Sequence, residues 1–123
     1  MTEYLDLEDA LEQVKFLGFH AKDIGLLDSA LARPKTTIFG QDAYPDLATK
    51  AASLMHSMIK NFPLVDGNKR TSWLLFVSFL AANNYRHDMT TTQGFDLTLG
   101  IATDLLTLEE AAKVINEHLV TRG

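Results

Sequence analysis

The stretch NFPLVDGNKRTSW, which begins at Asn61, concentrates the residues that could do chemistry. An acidic, small and polar trio, Asp66–Asn68, stands directly before two cations, Lys69 and Arg70. The apolar run that follows predicts a helix starting near Asn68. Cations at the start of a helix are unfavourable, because the helix dipole is already positive there. The pattern therefore predicts a bound anion that would neutralise these two cations.

These residue types suit a phosphate site. The first N–H groups of a helix have no partner within the helix and can bind an anion. Gly67 lets the backbone approach a ligand closely, and Asn68 can add a side-chain donor. Lys69 supplies charge, Arg70 supplies a planar fork suited to phosphate, and Asp66 could hold Mg²⁺ together with phosphate oxygens. The bland alternative is that Asp66 only caps the helix and that the two cations are solvated.

Composition limits the classes of function. The 123 residues suffice for one domain, residues 1–123, and the formal net charge of -5 argues against general binding to nucleic acid or anionic membranes. The absence of cysteine excludes disulfides and a thiol nucleophile. The acidic N-terminal segment does not resemble a signal peptide, and the longest apolar run, from Trp73 to Ala82, is too short to span a bilayer. We expect a cytoplasmic protein without a membrane partner.

Helical periodicity dominates the chain and predicts an all-α domain of about six helices. The predicted helices are one capped by Asp6 and ended by Gly18, then Asp23–Ala32, Pro45–Asn61, Asn68–Asn83, Thr92–Leu106, and one opening with a capping box at Thr107. The fourth is apolar almost all round and is predicted to be central. The only β-like patch, between Pro34 and Pro45, predicts an exposed loop or a small hairpin flap.

Part of this chain resembles a known protein family. The segment FPLVDGNKRT closely resembles the signature of the Fic/Doc family, which its Doc (death-on-curing) branch writes as H-P-F-x-D-G-N-K-R-T. The segments GLLDSALARP, FGQDAYPDL and KAASLMHSMIKN also resemble Doc segments, so the likeness runs roughly from Gly25 to Asn84. It implies a small helical Fic-like domain that places the signature loop against a nucleotide, beneath a β-hairpin flap.

The resemblance also implies a chemistry. Classical members have a glycine where this chain has Lys69, and they transfer AMP to a target hydroxyl. Doc members with lysine there are similar to a bacteriophage toxin that phosphorylates elongation factor Tu. The implied cofactors are ATP and Mg²⁺, and the implied partners are an antitoxin protein and a protein target. By resemblance, Asp66 is a catalytic and magnesium residue, Gly67, Asn68, Lys69 and Arg70 form the phosphate cradle, and Ile38 and Phe39 in the flap position the target.

One position departs from the signature in a way that matters. Phe62 stands where the family has the histidine that acts as general base, whereas Leu64 replaces an apolar residue conservatively. A benzyl ring cannot accept a proton, and general-base catalysis is worth roughly a hundredfold to ten-thousandfold. We therefore expect this chain to be inactive as a toxin enzyme.

Three explanations could account for Phe62. The base was removed by design, or it was lost in a natural member, or another residue, His56 or Asp66, supplies it. The alternative functions are a non-catalytic pseudoenzyme that binds nucleotide or antitoxin, and AMP transfer in place of phosphorylation.

Overall fold

The computed structural model describes residues 1–123 and contains six α-helices and two small antiparallel sheets. The elements in chain order are α1 (Leu7–Phe16), α2 (Ile24–Ala32), a 3-10 turn (Arg33–Lys35), β1 (Thr37–Ile38), β2 (Gln41–Asp42), α3 (Leu47–Asn61), α4 (Asn68–Ala82), β3 (Tyr85–His87), α5 (Thr91–Ala102), α6 (Leu108–Glu117) and β4 (Leu119–Thr121). The prediction of an all-α fold with six helices and a hairpin flap is confirmed. No helix combines the length and hydropathy that a bilayer crossing requires.

Side-chain caps fix where most of the helices begin. The capping residues are Asp6 for α1, Asp23 for α2, Asp46 for α3, Thr90 for α5 and Thr107 for α6. Each side-chain oxygen accepts the backbone N–H three residues on, which satisfies one of the free donors of the first turn. The capping box predicted at Thr107 is confirmed. The sequence had suggested that Pro45 lies in the first turn of α3. Because Asp46 caps α3, Pro45 lies before the helix instead.

The central helix is α3, so the expectation that α4 would occupy the centre is wrong. Ten of the fifteen α3 residues are buried, and α3 packs against α2, α4, α5 and α6. Small residues such as Ala51, Ala52 and Ser53 let the neighbouring helices approach it closely. On α4, by contrast, Trp73 and Val77 stay half-exposed, as single apolar side chains commonly do.

The flap is a short hairpin, as the sequence suggested. Strands β1 and β2 pair antiparallel, with Thr37 opposite Asp42 and Ile38 opposite Gln41. Phe39 and Gly40 between them both have positive φ, 52° and 79°, as a two-residue type I′ turn requires. The tip of the flap is therefore presented to solvent on a tight turn.

A second sheet is present, so the prediction that the flap would be the only β-like patch is wrong. Strands β3 and β4 pair antiparallel in the register Tyr85 with Thr121 and His87 with Leu119. Each strand is only three residues long, and the two lie far apart in sequence, so neither carries a clear alternating pattern. The sheet connects the end of α4 to the end of α6.

The fifth helix is shorter than predicted. It ends at Ala102 and not at Leu106, because Asp104 adopts a left-handed conformation with φ of 62°. The turn is closed by the N–H of Leu106, which donates to the carbonyl of Gly100 over 3.0 Å. This turn brings the end of α5 beside the loop that precedes α4.

Candidate functional site

Two backbone reversals bound the loop that joins α3 to α4. Phe62 ends α3 in the left-handed conformation, with φ of 50° and ψ of 57°, and Pro63 prevents the helix from continuing. Gly67, with φ of 78°, then precedes the first turn of α4. The residues between them form a compact turn and not a flexible linker.

Backbone hydrogen bonds fasten this loop to the connection between α1 and α2. The carbonyl of Pro63 accepts the N–H groups of Lys22 and Asp23 over 3.0 and 3.1 Å. The N–H of Val65 donates to the carbonyl of His20 over 3.0 Å. The loop is thus paired like a short strand with a neighbouring segment, which limits its motion.

The side chain of Asn68 closes the loop from the other side. Its Oδ1 accepts the N–H of Leu64 over 3.0 Å, and its Nδ2 donates to the carbonyl of Leu64 over 3.1 Å. The Leu64 side chain is 1% exposed and anchors the loop in the core. Asn68 therefore acts first as a brace, and one N–H of its amide remains for the ligand role that the sequence suggested.

The first turn of α4 is the only one of the six helix starts without a side-chain cap. Its first internal bond runs from the N–H of Thr71 to the carbonyl of Gly67, so the N–H groups of Asn68, Lys69 and Arg70 find no protein acceptor. The carboxylate of Asp66 accepts the N–H of Gly67 over 2.8 Å and does not cap this turn. The alternative that Asp66 only caps the helix is therefore wrong, and three N–H donors are left for a ligand.

The two cations of the signature are also without a partner. The side chains of Lys69 and Arg70 are exposed, and neither takes part in any of the three ion pairs of the chain. Their positive charge adds to the positive end of the α4 dipole. The start of α4 is consequently a concentrated positive feature in a chain of net charge -5.

Gly67 has a different structural reason from the one that the sequence suggested. A Cβ atom on Gly67 would lie 2.3 to 2.5 Å from the ring of Phe19. The space beside the glycine is thus filled by an aromatic side chain of the same protein. The close approach that Gly67 allows on this side is made by Phe19 and not by a ligand.

A cleft of about 620 Å³ opens over this loop. Its lining consists of Phe19, Ile59, Lys60, Phe62, Val65, Asp66, Gly67, Asn68, Lys69, Arg70 and Ala102. All the predicted residues of the signature meet here, and three lining cations face a single lining carboxylate. A second cleft of about 600 Å³ adjoins the same two cations, Lys69 and Arg70, and continues toward Trp73 and Phe95.

Some residues lie apart from the sequence expectation. Ile38 and Phe39 line neither cleft and stand exposed at the tip of the flap. Phe19 and Lys60 line the first cleft although the sequence had not singled them out. The position of Lys60, two residues before Phe62, was a usable signal, whereas nothing in the sequence linked Phe19 to this loop.

A magnesium ion fits this site only in company with a phosphate. The chain has no group of three histidine, aspartate or glutamate side chains that could hold a metal ion. Asp66 alone offers an exposed carboxylate at the cleft. Mg²⁺ commonly takes one or two carboxylates and fills its other positions with water and phosphate oxygens. The residues present therefore fit a magnesium ion delivered with a nucleotide and do not fit an all-protein metal cage.

Of the candidate bases, only Asp66 lies at the cleft. Phe62 is 55% exposed and lines it, but its ring has no ionisable group. His56 contacts Arg33 instead, since its Nδ1 lies 3.0 Å from a guanidinium nitrogen of Arg33. Burial lowers the pKa of His56, and the charge of Arg33 lowers it further. His56 is not among the cleft residues.

Comparisons with known proteins point in one direction. A sequence profile described as the Fic/DOC family matches residues 2–80. A protein named Toxin Doc, from Mycolicibacterium smegmatis (strain ATCC 700084 / mc(2)155), is 52% identical over 86 residues. That match covers 68% of this chain and 66% of the relative, so the chain spans slightly less than two thirds of the relative's length.

The first prediction concerns the contact between Gly67 and Phe19. Gly67→Ala should lower the free energy of unfolding by about 1–2 kcal/mol for the left-handed backbone and by about 1–3 kcal/mol for overpacking. Gly18→Ala is the matched control, because Gly18 has a similar φ of 83° and nothing within 4 Å of an added Cβ. Urea unfolding should show the smaller loss for Gly18→Ala. Adding Phe19→Ala to Gly67→Ala should cost less than the sum of the two single changes, and strict additivity would contradict the contact.

The second prediction concerns pH. The pKa of His56 is lowered in the folded protein from 6.5, so the unfolded chain binds this proton more readily. The resulting stability is present above pH 6.5 and is lost as the pH falls below it. His56→Gln keeps an acceptor for Arg33 without titrating, and its unfolding free energy should fall less between about pH 8 and about pH 5. Burial also lowers the pKa of His87, which is unchanged in both proteins, so some slope remains. If the unfolding free energy had the same pH dependence in the unchanged chain and in His56→Gln, a contribution of His56 would be ruled out.

Proposed function

Since this chain belongs to the Fic/DOC family, we propose that it is a Doc-type toxin of a toxin–antitoxin system whose cleft binds ATP. The reaction of this site is transfer of the γ-phosphate of ATP to a hydroxyl of a protein target, with elongation factor Tu as the target by resemblance. In the chain as it stands, Phe62 occupies the position of the base, and transfer is expected to be lost.

The uncapped first turn of α4 is the observation that carries this proposal. In every other helix a side-chain oxygen accepts one N–H of the first turn, while α4 lacks such a cap and leaves three N–H groups free beside Lys69 and Arg70. Oriented N–H groups, an ammonium and a guanidinium are the donors that bind phosphate oxygens best. A polyphosphate would offset the dipole and the exposed charges together.

The residues of the cleft divide the work of holding a nucleotide. The free N–H groups and Arg70 would contact phosphate oxygens, and Lys69 would add a point charge. Asp66 would hold the magnesium ion, which neutralises charge on the phosphates. Asn68 keeps the loop closed through Leu64, so the donors stay in place without the cost of ordering them on binding.

Transfer also needs a group that accepts a proton. The hydroxyl oxygen forms a bond to the γ-phosphorus, the bond from that phosphorus to the leaving oxygen breaks, and ADP departs with the electron pair. The hydroxyl proton must pass to a base. An imidazole at position 62 would stand at the rim of the cleft and could take it, which the ring of Phe62 cannot do.

The first alternative is a non-catalytic protein that binds nucleotide or antitoxin and acts by occupying a partner. Phe62 favours it, because the phosphate donors are kept while the base is missing. The second alternative is transfer of AMP. Lys69 disfavours it, since AMP-transferring members of the family have glycine at this position.

The third prediction is that Phe62→His creates or restores transfer. The ring at position 62 is half exposed at the end of α3, so a planar ring of similar size should cost the fold little. Purified protein is mixed with a bacterial lysate and ATP labelled at the γ- or the α-phosphate. We expect labelling by the γ-labelled nucleotide to rise about a hundredfold or more over the unchanged chain, with slower growth after induction. The double variant Phe62→His with Arg70→Ala is the control, and it should label poorly.

The outcomes separate the alternatives. Label from the α-phosphate would show AMP transfer. Equal labelling by the unchanged chain and Phe62→His would mean that another group, such as Asp66, is the base. If neither protein labels a target or slows growth while both bind ATP with Mg²⁺ by calorimetry, the proposal of a toxin enzyme is withdrawn in favour of a non-catalytic binding protein.

A further inference from the structure

Lys50 is the one ionisable residue in the core of this protein. It lies on α3, the central helix, and is 1% exposed. Lysine is almost never fully buried unless its ammonium is paired, because removing a charge from water is costly. Its Nζ lies 3.1 Å from Oδ2 of Asp42, 3.3 Å from the carbonyl of Pro34 and 5.7 Å from the ring centre of Tyr4. The contacts of this ammonium therefore need an explanation.

The two polar partners of Lys50 stand at the two ends of the flap. Pro34 precedes β1, and Asp42 lies in β2, opposite Thr37. One buried ammonium thus ties both legs of the hairpin to the central helix. The pair is asymmetric, since the side chain of Asp42 is 50% exposed while that of Lys50 is buried. Losing Asp42 would leave a buried charge without its counter-ion, which is the costly direction of the change.

A second cation fastens the flap just outside the first. The Nε of Arg33 donates to the hydroxyl of Tyr44 over 3.1 Å, and one of its terminal nitrogens donates to Oγ of Ser57 over 3.1 Å. Arg33 precedes the hairpin and Tyr44 follows it, while Ser57 belongs to α3. Both cations therefore connect the base of the flap to the same helix.

The flap needs these connections because its own strands are too short to hold it. Each strand has two residues, and an isolated two-stranded hairpin is at best marginally stable in water. At the tip, Ile38 is 58% exposed and Phe39 is 102% exposed, so neither side chain is buried against the body of the protein. The position of the tip is consequently set at the base of the hairpin.

We propose that Lys50 and Asp42 are positioning residues that hold the flap in a fixed place on α3. Neither lines the clefts, so their effect reaches the site only through the hairpin. The consequence for docking of a protein target rests on the proposed function, whereas the effect on the flap itself does not. The ion pair would keep Ile38 and Phe39 presented at a constant distance from the start of α4.

Hydrogen–deuterium exchange of the full chain tests the proposal without any activity. Asp42→Asn keeps the shape and removes the charge, and it should speed exchange of flap amides, such as that of Ala43, which bonds the carbonyl of Thr36, by about tenfold or more. Asp104→Asn is the matched control. It breaks the Lys60–Asp104 pair at 2.8 Å on the turn after α5 and should leave the flap unchanged. Amides of the β3–β4 sheet should not respond to Asp42→Asn.

A second variant protects the test against general unfolding. Lys50→Met fills the site with an apolar side chain, and replacing a buried charge in this way is often neutral for stability. It should fold, and its flap should also exchange faster. Unchanged flap exchange in both Asp42→Asn and Lys50→Met overturns the proposal. Faster exchange throughout the chain in both variants also overturns it, since the pair would then serve the core as a whole.

An activity measurement adds the link to the target. In the Phe62→His background, Asp42→Asn should raise KM for the protein target about tenfold and leave KM for ATP unchanged. A looser flap with unchanged KM for the target overturns the docking role. If Phe62→His shows no transfer, the proposed function fails, while the exchange measurement still decides whether the pair positions the flap.

Discussion

The side chain of Asn68 bonds both backbone groups of Leu64, and this pair of hydrogen bonds fixes the start of α4 against the end of α3. The same loop is fastened to the connection between α1 and α2 through Pro63 and Val65. The N-cap residue of α4 is Gly67, which has no side-chain oxygen, and the carboxylate of Asp66 accepts the N–H of Gly67 instead of capping the first turn. The N–H groups of Asn68, Lys69 and Arg70 therefore find no protein acceptor.

The two signature cations of the cleft also lack a partner within the protein. Lys69 and Arg70 stand at the end of α4 where the dipole disfavours them by roughly 0.3–1 kcal/mol each, and no carboxylate of the protein offsets them. Lys50 shows the opposite solution, because its buried charge is met by Asp42 within the chain. The protein thus neutralises the cation that holds its flap, whereas Lys69 and Arg70 at the cleft have no ion-pair partner within the chain. This contrast supports the proposed binding of a polyanionic substrate.

The parts of the structure that local rules govern could be predicted from the sequence. Capping side chains and apolar periodicity predicted the helices, and the Phe39–Gly40 turn was foreseen as part of a flap. The parts that depend on contacts between residues far apart in the sequence could not be predicted. The burial of Lys50 ran against the usual exposure of lysine, although its spacing of four and eight residues from Leu54 and Met58 placed it on the buried face. The ring of Phe19 against Gly67 depends on how α1 meets α4, and no local pattern encodes that.

The first turn of α4 is proposed to bind the phosphates of a nucleotide. An amide-detected NMR titration of the unchanged chain with ATP and Mg²⁺ tests it most directly, because each N–H group reports for itself. We expect the largest shifts at the amides of Asn68, Lys69 and Arg70, with small changes in the β3–β4 sheet. Saturating shifts located elsewhere, with these three amides unmoved, would contradict it.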